Sequence, residues 1–294
     1  MSWAEVIGDP IAQSKSPVIH RFWLAALGLA GDYRATLVKT DGLAAFFAAR
    51  RAEAGWAGCN VTMPHKEAVI PFLDRLDPLA AKLQAVNTVV RTADGELLGY
   101  NTDVSGVAEP LRRHRIGDYP NHVATYVQII GAGGAARAAV LGAVEAGYGD
   151  FDIFNRSPAR ADALAELAGA PFGTGNPLDA LGPIRNPKEG PNDGQVQQRY
   201  SHILINATSM GMGGENPVPV DLSAYYPDTI VFDMVYAPLE TPFLAQARAL
   251  GLRTIDGLEM LVGQAAKAFE YFFGVAPPRE RDAELRALLV GGAA

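Results

Sequence analysis

The stretch Thr125–Ser157, TYVQIIGAGGAARAAVLGAVEAGYGDFDIFNRS, decides the fold class. An apolar, β-branched run leads into Gly131-Ala132-Gly133-Gly134-Ala135-Ala136; an alanine-rich helical segment follows, and a second strand, DFDIF, closes the unit. Strand, glycine turn, helix and strand in that order form the βαβ unit of a doubly wound parallel sheet. In the pattern G-x-G-x-x-A, Gly131 permits the tight turn and Gly133 lets backbone approach a pyrophosphate, while the small Ala136 allows close helix packing. The helix N-terminus adds free N–H groups and the positive end of a dipole. An ordinary tight turn is the plainer reading; the strand–turn–helix context favours a dinucleotide site.

The end of the second strand bears on which dinucleotide. An NAD site carries an acidic residue there to hold the ribose 2′-hydroxyl. Here the strand runs into Asn155-Arg156-Ser157-Pro158, with Arg160 close behind. Ser157 can cap the next helix and Pro158 can open it, so Arg156 and Arg160 flank a helix N-terminus. Two permanently charged, bidentate donors at that end suit a 2′-phosphate, and point to NADP over NAD. A capped helix with two solvated arginines is the alternative.

Further apolar strands follow at HILINATS and TIVFDMVY, then a helix near TPFLAQARALG and a strand at LRTID. The polar stretch around residues 183–199, rich in Gly and Pro, reads as a surface insertion, because strand-like sequence resumes on both sides. The chain closes on DGLEMLVGQAAKAFEYFFG, where Leu258, Leu261, Ala265, Phe269 and Phe272 recur with a helical period.

Upstream of Asp103 the character differs. Ser16-Pro17 before VIHRFWLAALG reads as a helix with a serine N-cap, proline at its first position and Gly28 at its end. A second helix covers LAAFFAARRAEAG. GCNVTM is a short strand, and Pro64 opens another helix. AVNTVVRTADGELLGYNTD is a hairpin turning at Ala93-Asp94-Gly95.

A length of 294 residues fits two domains of about 150. Hydrophobic residues at 49% and charged residues at 19% are ordinary for a globular chain. A net charge of −7 without a Lys/Arg block argues against nucleic-acid binding. The single cysteine, Cys59, excludes an intramolecular disulfide framework and a Cys-rich zinc cluster, and fits a reducing cytoplasm. The five histidines lack the i, i+4 spacing of a zincin, so no metal site is expected. No membrane-length apolar run and no secretory signal are found. No tyrosine is followed four positions later by lysine, which disfavours short-chain dehydrogenase chemistry.

Several polar residues stand out locally. Lys66, one of only six lysines, falls in the first turn of the helix expected after Pro64, where the dipole disfavours a cation. Beside a carbonyl substrate it can donate the proton that accompanies hydride delivery; a lysine taken alone is more often a solvated surface residue. Asp103 can hold that lysine and bond a substrate hydroxyl, or merely cap the helix that follows. Ser14 and Ser16 can grip a carboxylate, or Ser16 can simply cap its helix. Asn87 and Gln264 lie in apolar settings and need partners if buried.

Together these pieces resemble the shikimate dehydrogenase family along nearly the whole chain. Nine strings carry the resemblance: IGDPIAQSKSPVIH, GCNVTMPHKEAV, AVNTV, GYNTD, GAGGAARA, NRS, NATSMGM, DMVY with TPFL, and DGLEMLVGQAAKAFE. The resemblance implies reversible, NADPH-dependent reduction of 3-dehydroshikimate to shikimate on the way to chorismate and the aromatic amino acids. It implies an α/β substrate domain (1–104 with 262–294, the C-terminal helices returning to it) and a Rossmann-like NADP domain (105–261), with the active site in the cleft between domains. Lys66 and Asp103 would be the catalytic pair. Ser14 and Ser16 would bind the substrate carboxylate, and Asn60, Thr62, Asn87, Tyr236 and Gln264 would line the rest of the pocket. The cofactor side would comprise Gly131, Ala132, Gly133, Gly134 and Ala135; Asn155, Arg156, Ser157 and Arg160; Thr208, Ser209 and Met210; and Met234, Val235, Gly257 and Met260.

Three departures from the family pattern appear. Ser157 replaces the usual threonine and keeps a hydroxyl. Pro78 stands where many members carry an acidic residue and is assigned no role. The insertion is longer than the family norm. A quinate/shikimate dehydrogenase using NAD(P) and a non-catalytic ligand sensor of the same fold remain alternatives, as does either a monomer or a homodimer.

Overall fold

The computed structural model describes residues 2–115, 122–168, 172–176 and 199–291. The chain forms two compact units: Met1–Asp103 with Val262–Ala294, and Val104–Leu261. Among the described residues no helix is long and apolar enough to cross a membrane.

The first unit runs β1 (Ser2–Gly8), α1 (Ser16–Ala26), β2 (Gly31–Leu37), α2 (Leu43–Ala52), β3 (Trp56–Val61), β4 (Arg75–Leu76), α3 (Pro78–Leu83), β5 (Thr88–Arg91) and β6 (Leu97–Tyr100). Its six-stranded mixed sheet has the order β2-β1-β3-β5-β6-β4. β1 pairs in parallel with β2 and β3, whereas β3–β5 and β5–β6 are antiparallel. One face of the sheet packs on α2 through Leu43 and Phe47, with Trp56, Val61 and Val89 in the same cluster. Burying each large side chain of this kind contributes about 2 kcal/mol. In α1 the buried residues Ser16, Ile19, His20, Trp23 and Leu24 follow the i, i+3, i+4, i+7 spacing of one helical stripe. Gly28 ends the helix with φ 62°, a left-handed cap that costs other residues strain.

The second unit holds α4 (Asp103–Arg113), whose first residue belongs to the first unit, β7 (His122–Ile130), α5 (Gly134–Glu145), β8 (Asp150–Phe154), α6 (Pro158–Ala168), β9 (Phe172–Asn176) and β10 (Arg199–Asn206). β11 (Ile230–Asp233), α7 (Pro242–Ala249) and β12 (Arg253–Ile255) complete its sheet. All six strands are parallel, in the order β12-β11-β10-β7-β8-β9. This is the Rossmann arrangement, with the strand order reversing between β7 and β10. α8 (Gly257–Phe273) begins in the second unit, and from Val262 onward it belongs to the first, as does α9 (Asp282–Gly291). There Ala268 and Phe272 pack against Ala4, Val6 and Tyr33.

The local sequence readings need two corrections. No α-helix follows Pro64: residues 63–69 are turns that close in a 3₁₀ turn, Ile70–Phe72. Pro71 explains this, because it offers no N–H to the Glu67 carbonyl, so the next i→i−4 bond of an α-helix cannot form. The dipole argument for Lys66 falls with that helix. Ser16 also does not cap α1. It is the first helical residue, with Lys15 at the cap position, and Ser14 Oγ accepts the Ser16 N–H at 3.3 Å. Pro78 has a structural setting: it follows Asp77, which caps α3 by accepting from Leu79 and Ala80 N–H. Residues 183–198 lie outside the described residues, and Arg199 opens β10.

Candidate active site

In the first unit, Lys66 sits in the turn after β3 and Asp103 is the first residue of α4. Lys66 Nζ lies 2.6 Å from Asp103 Oδ2. The lysine side chain is 33% exposed and the aspartate 13%, so the pair is held by protein yet open to a ligand. Both ends are fixed by backbone. The Lys66 carbonyl accepts from Val86 N at 2.8 Å, and Asn101 Oδ1 accepts the Asp103 N–H at 3.1 Å. An acidic residue in the first turn of a helix is also favoured by the dipole.

Asn87, just before β5, organises the groups behind this pair. Its Nδ2 donates to Asp103 Oδ1 at 2.8 Å and Thr102 Oγ1 at 3.0 Å, and lies 3.4 Å from Gln264 Oε1. Its Oδ1 accepts from Thr102 N at 2.7 Å. Asn60, on β3, donates through Nδ2 to Thr88 Oγ1 at 2.9 Å and to the Asn87 carbonyl at 3.2 Å. Thus Asn60, Lys66, Asn87, Asp103 and Gln264, drawn from distant stretches of sequence, share one network in which buried polar groups have the partners they need. Thr88, Asn101 and Thr102 belong to it as well, and the sequence reading did not single them out as site residues. For Thr102 a signal was available: it lies between two polar residues already read as a unit.

The remaining substrate candidates fall in two places. Ser14 and Ser16 sit together at the start of α1, half-buried and buried respectively. Thr62 ends the β3 segment with its N–H on the Ile7 carbonyl at 3.0 Å. A Cβ at Gly8 would lie 2.5 Å from Thr62 Cγ2, so only glycine lets the end of β1 pass this close. His65, buried beside Lys66, places Nε2 2.6 Å from the Val38 carbonyl and anchors the turn. Tyr236 belongs to the second unit, where it follows β11 half-buried, and burial raises its phenol pKa.

In the second unit the cofactor candidates occupy loops at the C-terminal ends of the parallel strands, where doubly wound folds bind ligands. Gly131 follows β7 with φ 111°, and a Cβ there would stand 2.8 Å from Thr208 Cγ2. At Gly133 and Gly134 a Cβ would meet nothing within 4 Å, so the turn carrying Ala132 and Ala135 borders open space. Gly133 is the N-cap of α5, and no side chain caps that helix end. Such an uncapped N-terminus with bare backbone fits a pyrophosphate. After β8, Asn155 Nδ2 donates to the Ser157 carbonyl at 2.9 Å, and the same carbonyl accepts the Ala161 N–H at the start of α6. Arg156 and Arg160 are exposed at that helix end, a setting suited to a phosphate monoester.

A buried network holds the other two loops. Asp233, at the end of β11, accepts from Asn206 Nδ2 at 2.9 Å, Val235 N at 3.0 Å and Thr241 Oγ1 at 2.6 Å. Burial raises its carboxyl pKa, and these donors oppose the shift. Asn206 in turn binds Thr208 N and Oγ1 and the Met210 carbonyl. Thr208, Ser209 and Met210 are thereby tied to Met234 and Val235. Gly257 opens α8 where a Cβ would be 2.6 Å from the Met234 and Val235 carbonyls, and Met260 packs one turn further on against the sheet core.

The chain has relatives among known proteins along its length. Residues 6–89 match the shikimate dehydrogenase substrate binding domain, and residues 257–284 the shikimate 5'-dehydrogenase C-terminal domain. The shikimate dehydrogenase (NADP(+)) of Sphingopyxis alaskensis is 50% identical over 98% of this chain and 97% of its own length. That of Rhodospirillum rubrum is 43% identical over 98% and 96%. Among solved structures, shikimate 5-dehydrogenase from Thermus thermophilus in complex with NADP(H) and shikimate matches with TM-score 0.79 and 35% identity, over 97% of this chain and 98% of that one. The ligand-free 5-ketofructose reductase of Gluconobacter sp. strain CHM43 matches with TM-score 0.80 and 30% identity, over 98% of each chain. With full-length relatives at this level of identity, the chain belongs to the shikimate dehydrogenase family.

Proposed function

We infer that the protein catalyses the reversible, NADPH-dependent reduction of 3-dehydroshikimate to shikimate, a step toward chorismate and the aromatic amino acids. The observation that carries this reading is the 2.6 Å Lys66–Asp103 pair, set in its amide and hydroxyl network, in a chain half identical to a relative of that activity. When bound, NADPH supplies the hydride that goes to the ring carbonyl carbon. Lys66 in its ammonium form gives a proton to the carbonyl oxygen, and the resulting neutral amine regains one from solvent. In the oxidative direction the neutral amine takes the hydroxyl proton. Asp103 orients Nζ, and its other oxygen is held by Asn87.

The remaining roles follow from donor chemistry. Ser14 and Ser16 hold the substrate carboxylate, while Asn60, Thr62, Asn87, Tyr236 and Gln264 hold the ring and its hydroxyls. The turn from Gly131 to Ala135 and the N-terminus of α5 cradle the pyrophosphate. Asn155, Arg156, Ser157 and Arg160 take the 2′-phosphate, and Thr208, Ser209, Met210, Met234, Val235, Gly257 and Met260 complete the cofactor side. All these residues come from one chain, so the reading is the same for a monomer or a homodimer. The lone Cys59 is buried and free, which fits the cytoplasm as the site of action.

Purified protein incubated with shikimate and NADP, followed by absorbance of the reduced nicotinamide, tests the reading. The expected result is turnover, with lower kcat/KM when quinate replaces shikimate or NAD replaces NADP. No turnover, or a preference for quinate or NAD, would overturn it.

A further inference from the structure

Tyr33 is out of place on its strand. β2 lies at the edge of the first sheet and reads GDYRATL; Tyr33 is its one buried residue, at 0% exposure. A tyrosine buried to that extent needs partners for its hydroxyl. The partner is a residue read above as a substrate ligand. Tyr33 Oη donates to Asn60 Oδ1 at 2.6 Å.

This bond decides how Asn60 faces. An asparagine amide can turn over and exchange its oxygen and nitrogen. With Oδ1 committed to Tyr33, Nδ2 is directed at Thr88 Oγ1 and the Asn87 carbonyl. The chain of contacts then continues through Asn87 to Asp103. The ring of Tyr33 is itself held flat against His20, with centroids 3.9 Å apart and planes 2° from parallel. His20 is fully buried, and neither of its ring nitrogens has a hydrogen-bond partner among the described residues. It serves as a plate that fixes the ring, leaving the phenol oxygen as the functional end of Tyr33.

We propose that Tyr33 is a positioning residue for substrate recognition, whose hydroxyl sets the orientation of the Asn60 amide. The proposal rests on the reading of Asn60 as a shikimate ligand. It assigns Tyr33 no contact with substrate and no part in hydride or proton transfer.

The test is Tyr33→Phe, which keeps the ring and removes one oxygen. Removing the hydroxyl leaves a buried amide oxygen unsatisfied, which costs roughly tenfold in an equilibrium that depends on it. The Kd for shikimate, measured by calorimetry without cofactor, is expected to rise about tenfold. The KM for shikimate should follow, with kcat within about threefold and the Kd for NADP within about twofold of the unaltered protein. Tyr33→Phe combined with Asn60→Ala should bind shikimate no more weakly than Asn60→Ala alone, because coupled residues are not additive. A shikimate Kd unchanged by Tyr33→Phe, an equal loss of NADP binding, or multiplicative effects in the double variant would each overturn the proposal.

Should Tyr33→Phe not fold, the unaltered protein with ring-labelled tyrosine provides the readout. The Tyr33 signal is expected to shift on saturation with shikimate and to stay in place with NADP; a Tyr33 signal unmoved by shikimate would overturn the proposal. Failure of the underlying reading is distinguishable, since the unaltered protein would then bind no shikimate at all.

Discussion

The two units build their binding groups from different materials. In the first, the groups are side chains gripping side chains: Lys66 on Asp103, Asn87 on Asp103 and Thr102, Asn60 on Thr88 and Tyr33. In the second, the dinucleotide turn is backbone and empty space around Gly133 and Gly134, and side chains such as Asn206 and Asp233 serve to hold loops. The difference matches the ligands inferred. A ring with several hydroxyls and a ketone must be read group by group, whereas a pyrophosphate is satisfied by N–H groups at a helix end. Substitutions among these groups should therefore act on shikimate binding and proton transfer in the first unit, and on cofactor affinity or choice in the second.

The largest expected effect breaks the first unit. Lys66→Ala should lower kcat about 10³-fold while changing the KM for shikimate far less, because the lost group acts in proton transfer. Steady-state kinetics check this, and near-normal turnover would remove Lys66 from the mechanism.

Acid should weaken both units, since each contains a buried histidine whose pKa is lowered by burial. Burial lowers the His20 pKa to about 3 and the His202 pKa to about 4, the latter despite an opposing pull from Asp228. Below an ordinary pKa of 6.5 the unfolded chain takes up protons that the folded protein refuses. Stability is thus full at neutral pH and falls on acidification, until the folded values are reached. Between about pH 7 and about pH 5 each histidine should remove about 2 kcal/mol. Urea unfolding at the two pH values reads this loss, and an unchanged midpoint would contradict it.

The smallest effect concerns the cofactor. Arg156→Asp should shift the ratio of kcat/KM for NADP over NAD by about tenfold toward NAD, as a bidentate cation is exchanged for a carboxylate. An unchanged ratio counts against a 2′-phosphate clamp at the start of α6.

The second unit was the more legible in sequence because its signal is contiguous. Strand, glycine turn and helix follow one another within Thr125–Ser157, and each is marked by residue type. In the first unit the groups lie far apart, and only the resemblance drew them together before the fold was seen. Two local readings failed for physical reasons. The segment after Pro64 looked helical until Pro71 is counted, and Ser16 looked like a cap although Ser14 does the accepting. β2 escaped notice because it is a polar edge strand with a single inward side chain, and Tyr33 was missed with it. No motif marks such a residue; its role shows only in what its hydroxyl touches.

The central claim is that the Lys66 ammonium supplies the proton, and chemical rescue tests it most directly. Lys66→Ala should regain shikimate turnover with NADP in proportion to added small primary amine, and gain nothing from tetramethylammonium, which carries the charge without a transferable proton. Equal acceleration by both cations, or full activity with neither, would contradict the account.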